Sequence, residues 1–73
     1  PNPVIDDLVV ETTSVFTSGS VHIHSATGAL IREQGLVSGY QRTIIDLATI
    51  QPGIYLVCII LDGLESRHRV IKE

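Results

Sequence analysis

The chain has 73 residues, enough for one small domain (residues 1–73) that buries only roughly 60% of its unfolded surface. Its net charge of −3 excludes a general electrostatic attraction to nucleic acid, and its single cysteine excludes an internal disulfide. The longest strongly apolar run, residues 54–61, is far shorter than the ~20 residues of a membrane-spanning helix.

The opening segment Pro1-Asn2-Pro3 predicts an extended lead-in, because proline lacks the amide donor that a helix or a central strand needs. No secretory signal peptide precedes it in the sequence. We therefore expect the chain to be the C-terminal domain of a larger protein.

Short apolar or alternating runs, separated by turn residues, then follow in order. They predict strands at residues 6–11, 21–24, 29–34, 42–47, 54–61 and 64–72, with a further short edge strand at Val15-Phe16. The pair Asp6-Asp7 is interpreted as protecting the entrance of the first strand against edge pairing rather than as an acid-base pair.

Glycine-containing turns separate these runs. Gly28 is expected to take the positive φ of a tight turn, residues 35–39 form a further turn region, and Pro52-Gly53 is a turn pair in which glycine again tolerates positive φ. Asp62-Gly63 is a strong signal for a two-residue hairpin. Six to seven short strands at regular spacing without a helical period predict an all-β fold, a small antiparallel β-sandwich.

Several of these motifs, in this order, resemble the C-terminal sorting domain of the type IX secretion system (the type A sorting family). The resemblance covers the whole chain. It is carried by Pro1-Asn2-Pro3, by Thr27-Gly28 between two apolar strands, by the block from Ile50 to Val57, and by the basic C-terminal strand.

The resemblance implies an Ig-like sandwich at the end of a secreted cargo protein. It implies a domain that is recognised in the periplasm by the type IX translocon, carries its upstream cargo through the outer membrane to the cell surface or medium, and is then removed by a sortase-like peptidase. Such a domain is a ligand rather than an enzyme, and it needs no cofactor. Weak self-association of the domain into a homodimer is a further alternative.

Two groups of residues follow from the resemblance. The candidate residues for recognition by the translocon lie in the last strand and are Arg67, Arg69, Val70, Ile71 and Lys72. Their alternative interpretation is a charged edge that resists aggregation. The structural motif residues are Pro1, Asn2, Pro3, Gly28, Pro52, Gly53 and Tyr55. The Tyr55 ring is expected to be buried while its hydroxyl reaches a polar partner.

The central strand is apolar on both faces, so alternation alone does not select the core face. Related domains often have a polar or basic residue at the Cys58 position, which implies that this side faces outward. We therefore expect Tyr55, Val57 and Ile59 in the core. The opposite face is expected to form a partly exposed apolar stripe of Ile54, Leu56, Cys58 and Ile60. An equal alternative is that neighbouring side chains cover this stripe.

Other chemistry is less favoured by the sequence. His22 and His24 share one strand face and would be two ligands of a zinc site, with His68 as the third. The sequence spacing does not place His68 near them, so this site is less favoured. Cys58 has no base and orienting group nearby in sequence, so it is interpreted as a packing or surface thiol. The second function class is an adhesive or carbohydrate-binding Ig-like module, for which the three aromatic residues of the chain offer few stacking platforms.

Overall fold

The computed structural model describes residues 6–12, 15–39 and 42–73. Within these ranges the chain forms six strands and no helix, so none that could cross a membrane. The strands are β1 (Asp7–Glu11), β2 (Gly19–Ser25), β3 (Leu30–Leu36), β4 (Arg42–Asp46), β5 (Gly53–Leu61) and β6 (Leu64–Lys72). The motif residues Pro1, Asn2 and Pro3 lie outside the described ranges.

The strands of the described chain pair into two antiparallel sheets. One sheet has four strands in the order β3-β2-β5-β6, and the other has two, β1 and β4. Two hairpins, β2–β3 and β5–β6, are joined by the pairing of β2 with β5. The predicted all-β sandwich is confirmed.

The core lies between the sheets and takes alternate residues from each strand, as the two-residue period of a strand requires. The small sheet contributes Leu8, Val10 and Ile45. The large sheet contributes Val21, Ile23, Tyr55, Val57 and Val70, with Leu36 and Ile59 packed at the margin. The Arg32 guanidinium links the sheets at one side, donating to the Asp46 carbonyl at 3.1 Å.

The predicted turns at Asp62-Gly63 and at Gly28 have the positive φ angles that were expected of them. Asp62 (φ +50°) and Gly63 (φ +84°) join β5 to β6, with positive φ at both central positions as in a type I′ hairpin. Gly28 (φ +94°) ends the β2–β3 turn, where its amide donates to the Ser25 carbonyl at 2.9 Å. The predicted turn at residues 35–39 is partly wrong, because β3 extends to Leu36.

The expected edge strand at Val15-Phe16 is wrong, because this segment forms a loop. Phe16 is buried, and its carbonyl accepts from the Ser38 hydroxyl at 3.0 Å. The Asp62 carboxylate accepts from the backbone amides of Thr17 (3.0 Å) and Ser18 (2.9 Å). These amides therefore bond a side chain of the β5–β6 turn rather than a neighbouring strand.

Candidate recognition surface

Strand β6 is the last strand of the large sheet in the described part of the chain, with β5 on one side. Its residues alternate between two environments. Val70 (7% exposed) and Lys72 (6% exposed) point into the sandwich. Arg67, Arg69 and Ile71 point to the outer face of the sheet, where Ile71 is 42% exposed. The five candidate recognition residues thus divide into an inner pair and an outer trio.

The inner position of Lys72 follows from its register with Gly53. Since glycine carries no side chain, the partner position leaves room for the aliphatic part of the lysine. The Lys72 ammonium donates to the carbonyl of Glu73 at 3.0 Å. Its charged group therefore bonds the main chain of the same strand end.

Arg67 is solvent-exposed and paired within its own strand. Its Nε–H donates to a Glu65 carboxylate oxygen at 2.7 Å, two residues earlier on the same face. The hydrogen bond and the charge of Glu65 hold the pKa of the Arg67 guanidinium above its ordinary value. The guanidinium remains cationic at any physiological pH and carries four further N–H donors.

The expected orientation of the central strand is confirmed. Tyr55 and Val57 belong to the core, and Ile59 packs against its margin. On the outer face Ile54 is 50% exposed, whereas Leu56 and Ile60 are half-buried. The apolar stripe is thus present, but only its Ile54 end is well exposed to solvent.

Cys58 departs from the expectation of exposure, since it is buried on the outer face. Its register explains this: His22 of β2 lies opposite it on one side, and Arg67 of β6 on the other. Both long side chains flank the small thiol. Of the two interpretations made from the sequence, the packing thiol is the one that the structure shows.

A shallow depression of about 490 Å³ lies on this outer face. Ile54, Leu56 and Cys58 form its apolar floor, Arg67 and Arg69 line it on the β6 side, and His24 lines it on the β2 side. The row His24–Leu56–Arg69 crosses three neighbouring strands directly opposite one another. The register, which the sequence alone does not reveal, therefore joins the candidate arginines to the exposed end of the apolar stripe.

The two histidines of β2 stack on the outer face, with ring centroids 6.5 Å apart. His22 lies 3.5 Å from the Glu33 carboxylate and 3.2 Å from the Ser20 hydroxyl. His68 pairs with Val57 and so lies on the opposite side of the sheet, where it cannot complete a zinc site with them. In the described ranges, no three His, Cys, Asp or Glu side chains are grouped so that they could hold a metal ion.

The Pro52-Gly53-Ile54-Tyr55 segment builds the corner where the chain enters β5. The Tyr55 ring is buried as expected, and its hydroxyl donates to the Gln51 carbonyl at 2.5 Å. Gly53 opens the strand with φ +156°, at the margin of the region that side chains rarely adopt. The hydrogen bond fixes the loop before β5 against the strand, so that Ile54 is held at the edge of the depression.

Fold and surface together define a small β-sandwich domain in which the outer face of β6 is basic and partly apolar. Over residues 1–73 the chain matches the family model described as secretion system C-terminal sorting domain, and it belongs to that family. No curated protein and no solved structure matches it.

The family is the C-terminal sorting signal for type IX secretion. The domain therefore works with the type IX machinery as part of a cargo protein, and it directs export to the cell surface or medium. The alternative of an adhesive or sugar-binding module has no support.

Proposed function

We propose that the type IX translocon reads the folded domain through the outer face of β6, with Arg67, Arg69 and Ile71 as contact residues. The observation that carries this proposal is the alternation of β6. Its outer residues lie on the outer face of the large sheet, whereas Val70 and Lys72 are buried in the sandwich. A folded partner reaches only the outer trio.

The domain acts by binding and performs no catalysis. The cargo crosses the inner membrane first, the domain is recognised in the periplasm, and the cargo then passes the outer membrane. A sortase-like peptidase removes the domain at the end of this route. Family membership supports this sequence of events.

A transfer experiment tests the sorting role. Residues 1–73 are fused behind an unrelated folded reporter that carries a Sec signal. The reporter should reach the surface or medium in cells with the type IX system, and should stay in the periplasm of a translocon-deletion strain. Equal surface delivery in both strains would contradict the proposal.

Point substitutions test the contact residues better than a deletion of Arg69–Glu73. Export of the shortened protein should fail, but the deletion also removes a core residue and the buried lysine. The double variant Arg67→Gln/Arg69→Gln should lower export with the free energy of unfolding nearly unchanged, because exposed charges contribute only about 0–1 kcal/mol. Arg42→Gln, an exposed arginine of the small sheet, is the matched control and should export normally.

The variant Lys72→Met completes the comparison. It keeps a long apolar stem in a buried position and should cost less than about 1.5 kcal/mol. Export of the stably folded Lys72→Met protein should be close to that of the unaltered chain. Loss of export in this variant, at unchanged stability, would mean that the translocon reads the inner residues and that β6 must open first.

A further inference from the structure

The depression beside β6 has a charge pattern that restricts what fits it. Its described lining contains two arginines and no carboxylate, above a floor of Ile54, Leu56 and Cys58. Glu65, which bonds Arg67, lies outside the lining. An anionic partner with apolar side chains complements such a surface, and a cationic one is disfavoured.

Spacing adds a second restriction. Arg67, Arg69 and Ile71 lie two residues apart on one face of a strand, so successive members are separated by about 6.5–7 Å. Side chains at positions i, i+2 and i+4 of another extended segment share this spacing and also point to one side. An extended partner therefore matches the trio through its positions i, i+2 and i+4.

We propose that the outer face of β6 binds an extended segment of the export machinery with the pattern acidic-x-acidic-x-aliphatic, running in the same direction as β6. The two carboxylates meet Arg67 and Arg69, and the aliphatic side chain covers the exposed pair formed by Ile71 and Ile54, which lie opposite each other. Guanidinium groups bind carboxylates through paired N–H donors. The inference rests on the proposed sorting function and adds the chemistry of the partner.

Peptide binding to the purified chain tests the pattern directly. The probe is a capped peptide with Glu-Thr-Glu-Thr-Val at its centre, and binding is measured from NMR shift changes of the isotope-labelled chain. Shifts should concentrate around Leu56, Arg69 and Ile71. A peptide centred on Glu-Glu-Thr-Thr-Val has the same charge without the spacing, and should bind roughly five- to tenfold more weakly.

The same loss of affinity is expected when the original probe is titrated into the Arg67→Gln/Arg69→Gln variant. The Arg42→Gln variant should bind the probe as tightly as the unaltered chain does. The proposal is overturned if the two peptides bind equally, if a lysine version of the probe binds as well, or if the Arg42 variant loses as much affinity. No detectable binding of the probe also overturns it.

Photo-crosslinking in cells identifies the natural occupant. A crosslinking amino acid replaces Ile54 in the exported fusion, and Ile44, an exposed residue of the small sheet, serves as the control position. Mass spectrometry should assign the Ile54 adduct to a translocon segment with the alternating acidic pattern. An adduct with a lipid or with a second copy of the chain would refute the assignment. Export of the fusion reports the sorting role separately, so failure of either proposal is recognised on its own.

Discussion

Gly19 opens β2 at a point where the sheet, the Phe16 loop and the end of β5 converge. A Cβ atom at this position would lie 2.9 Å from the Leu61 Cδ2, 3.2 Å from the Phe16 Cε2 and 3.3 Å from the Ile60 carbonyl oxygen. The Leu61 methyl can turn away, but the Ile60 carbonyl belongs to the backbone of the neighbouring strand. We therefore expect Gly19→Ala to destabilise the domain.

The magnitude follows from two opposing effects. Overpacking a closely packed site costs about 1–3 kcal/mol. Replacing glycine by alanine also removes freedom from the unfolded chain, which returns about 0.4–1 kcal/mol. The net loss in the free energy of unfolding is about 0–2.6 kcal/mol, and the 2.9 Å approach places it in the upper half of this range. Each kcal/mol lowers the Tm of a domain this small by about 4–8 °C.

Gly35 provides a matched control on the adjacent strand. It lies opposite Ser20 in the β2–β3 pairing, and a Cβ atom there would meet nothing within 4 Å. Gly35→Ala should leave stability unchanged or raise it by about 0.5 kcal/mol. Urea denaturation followed by far-UV circular dichroism measures both variants. If Gly19→Ala were as stable as Gly35→Ala, the steric argument would be wrong.

Tyr55→Phe should cost about 1 kcal/mol in urea denaturation, because it removes the hydroxyl hydrogen bond to Gln51; unchanged stability would show that solvent replaces this bond without loss. Asp62→Gly keeps a backbone that accepts positive φ but removes the acceptor of two loop amides, and should cost about 1 kcal/mol. Asp62→Asn keeps a side-chain oxygen that can accept from these amides and should cost less; a loss as large as that of Asp62→Gly would mean that an amide oxygen does not replace the carboxylate. Cys58 should react with a thiol reagent only after denaturant is added, since it is 7% exposed; rapid labelling of the folded chain would contradict its covered position.

The sequence predicted local features well. The Asp62-Gly63 pair marked its hairpin because few residue pairs accept positive φ twice in succession. The alternation in Val21 to His24 marked a half-buried strand. For β5, by contrast, both faces are apolar, so its orientation came from the family resemblance and not from the pattern itself.

Features that depend on distant residues were not predictable. The loop after Phe16 is held by Asp62, 45 residues from Thr17 in sequence, whose carboxylate accepts from the amides of Thr17 and Ser18. Cys58 is covered because the register places His22 and Arg67 beside it. Register between distant strands depends on the packing of the whole sandwich, and no local pattern records it.

Strand β6 combines anchoring and presentation in one short sequence. Because a strand turns alternate residues to opposite sides, Val70 and Lys72 hold it against the core while Arg67, Arg69 and Ile71 stay on the outer face. A domain of 73 residues is only modestly stable. A substitution that loosens Val70 or Lys72 therefore also displaces the outer residues of the same strand. A loss of export therefore indicates direct recognition only when the free energy of unfolding is unchanged. For this reason the outer arginines, rather than the buried Lys72, are the informative positions.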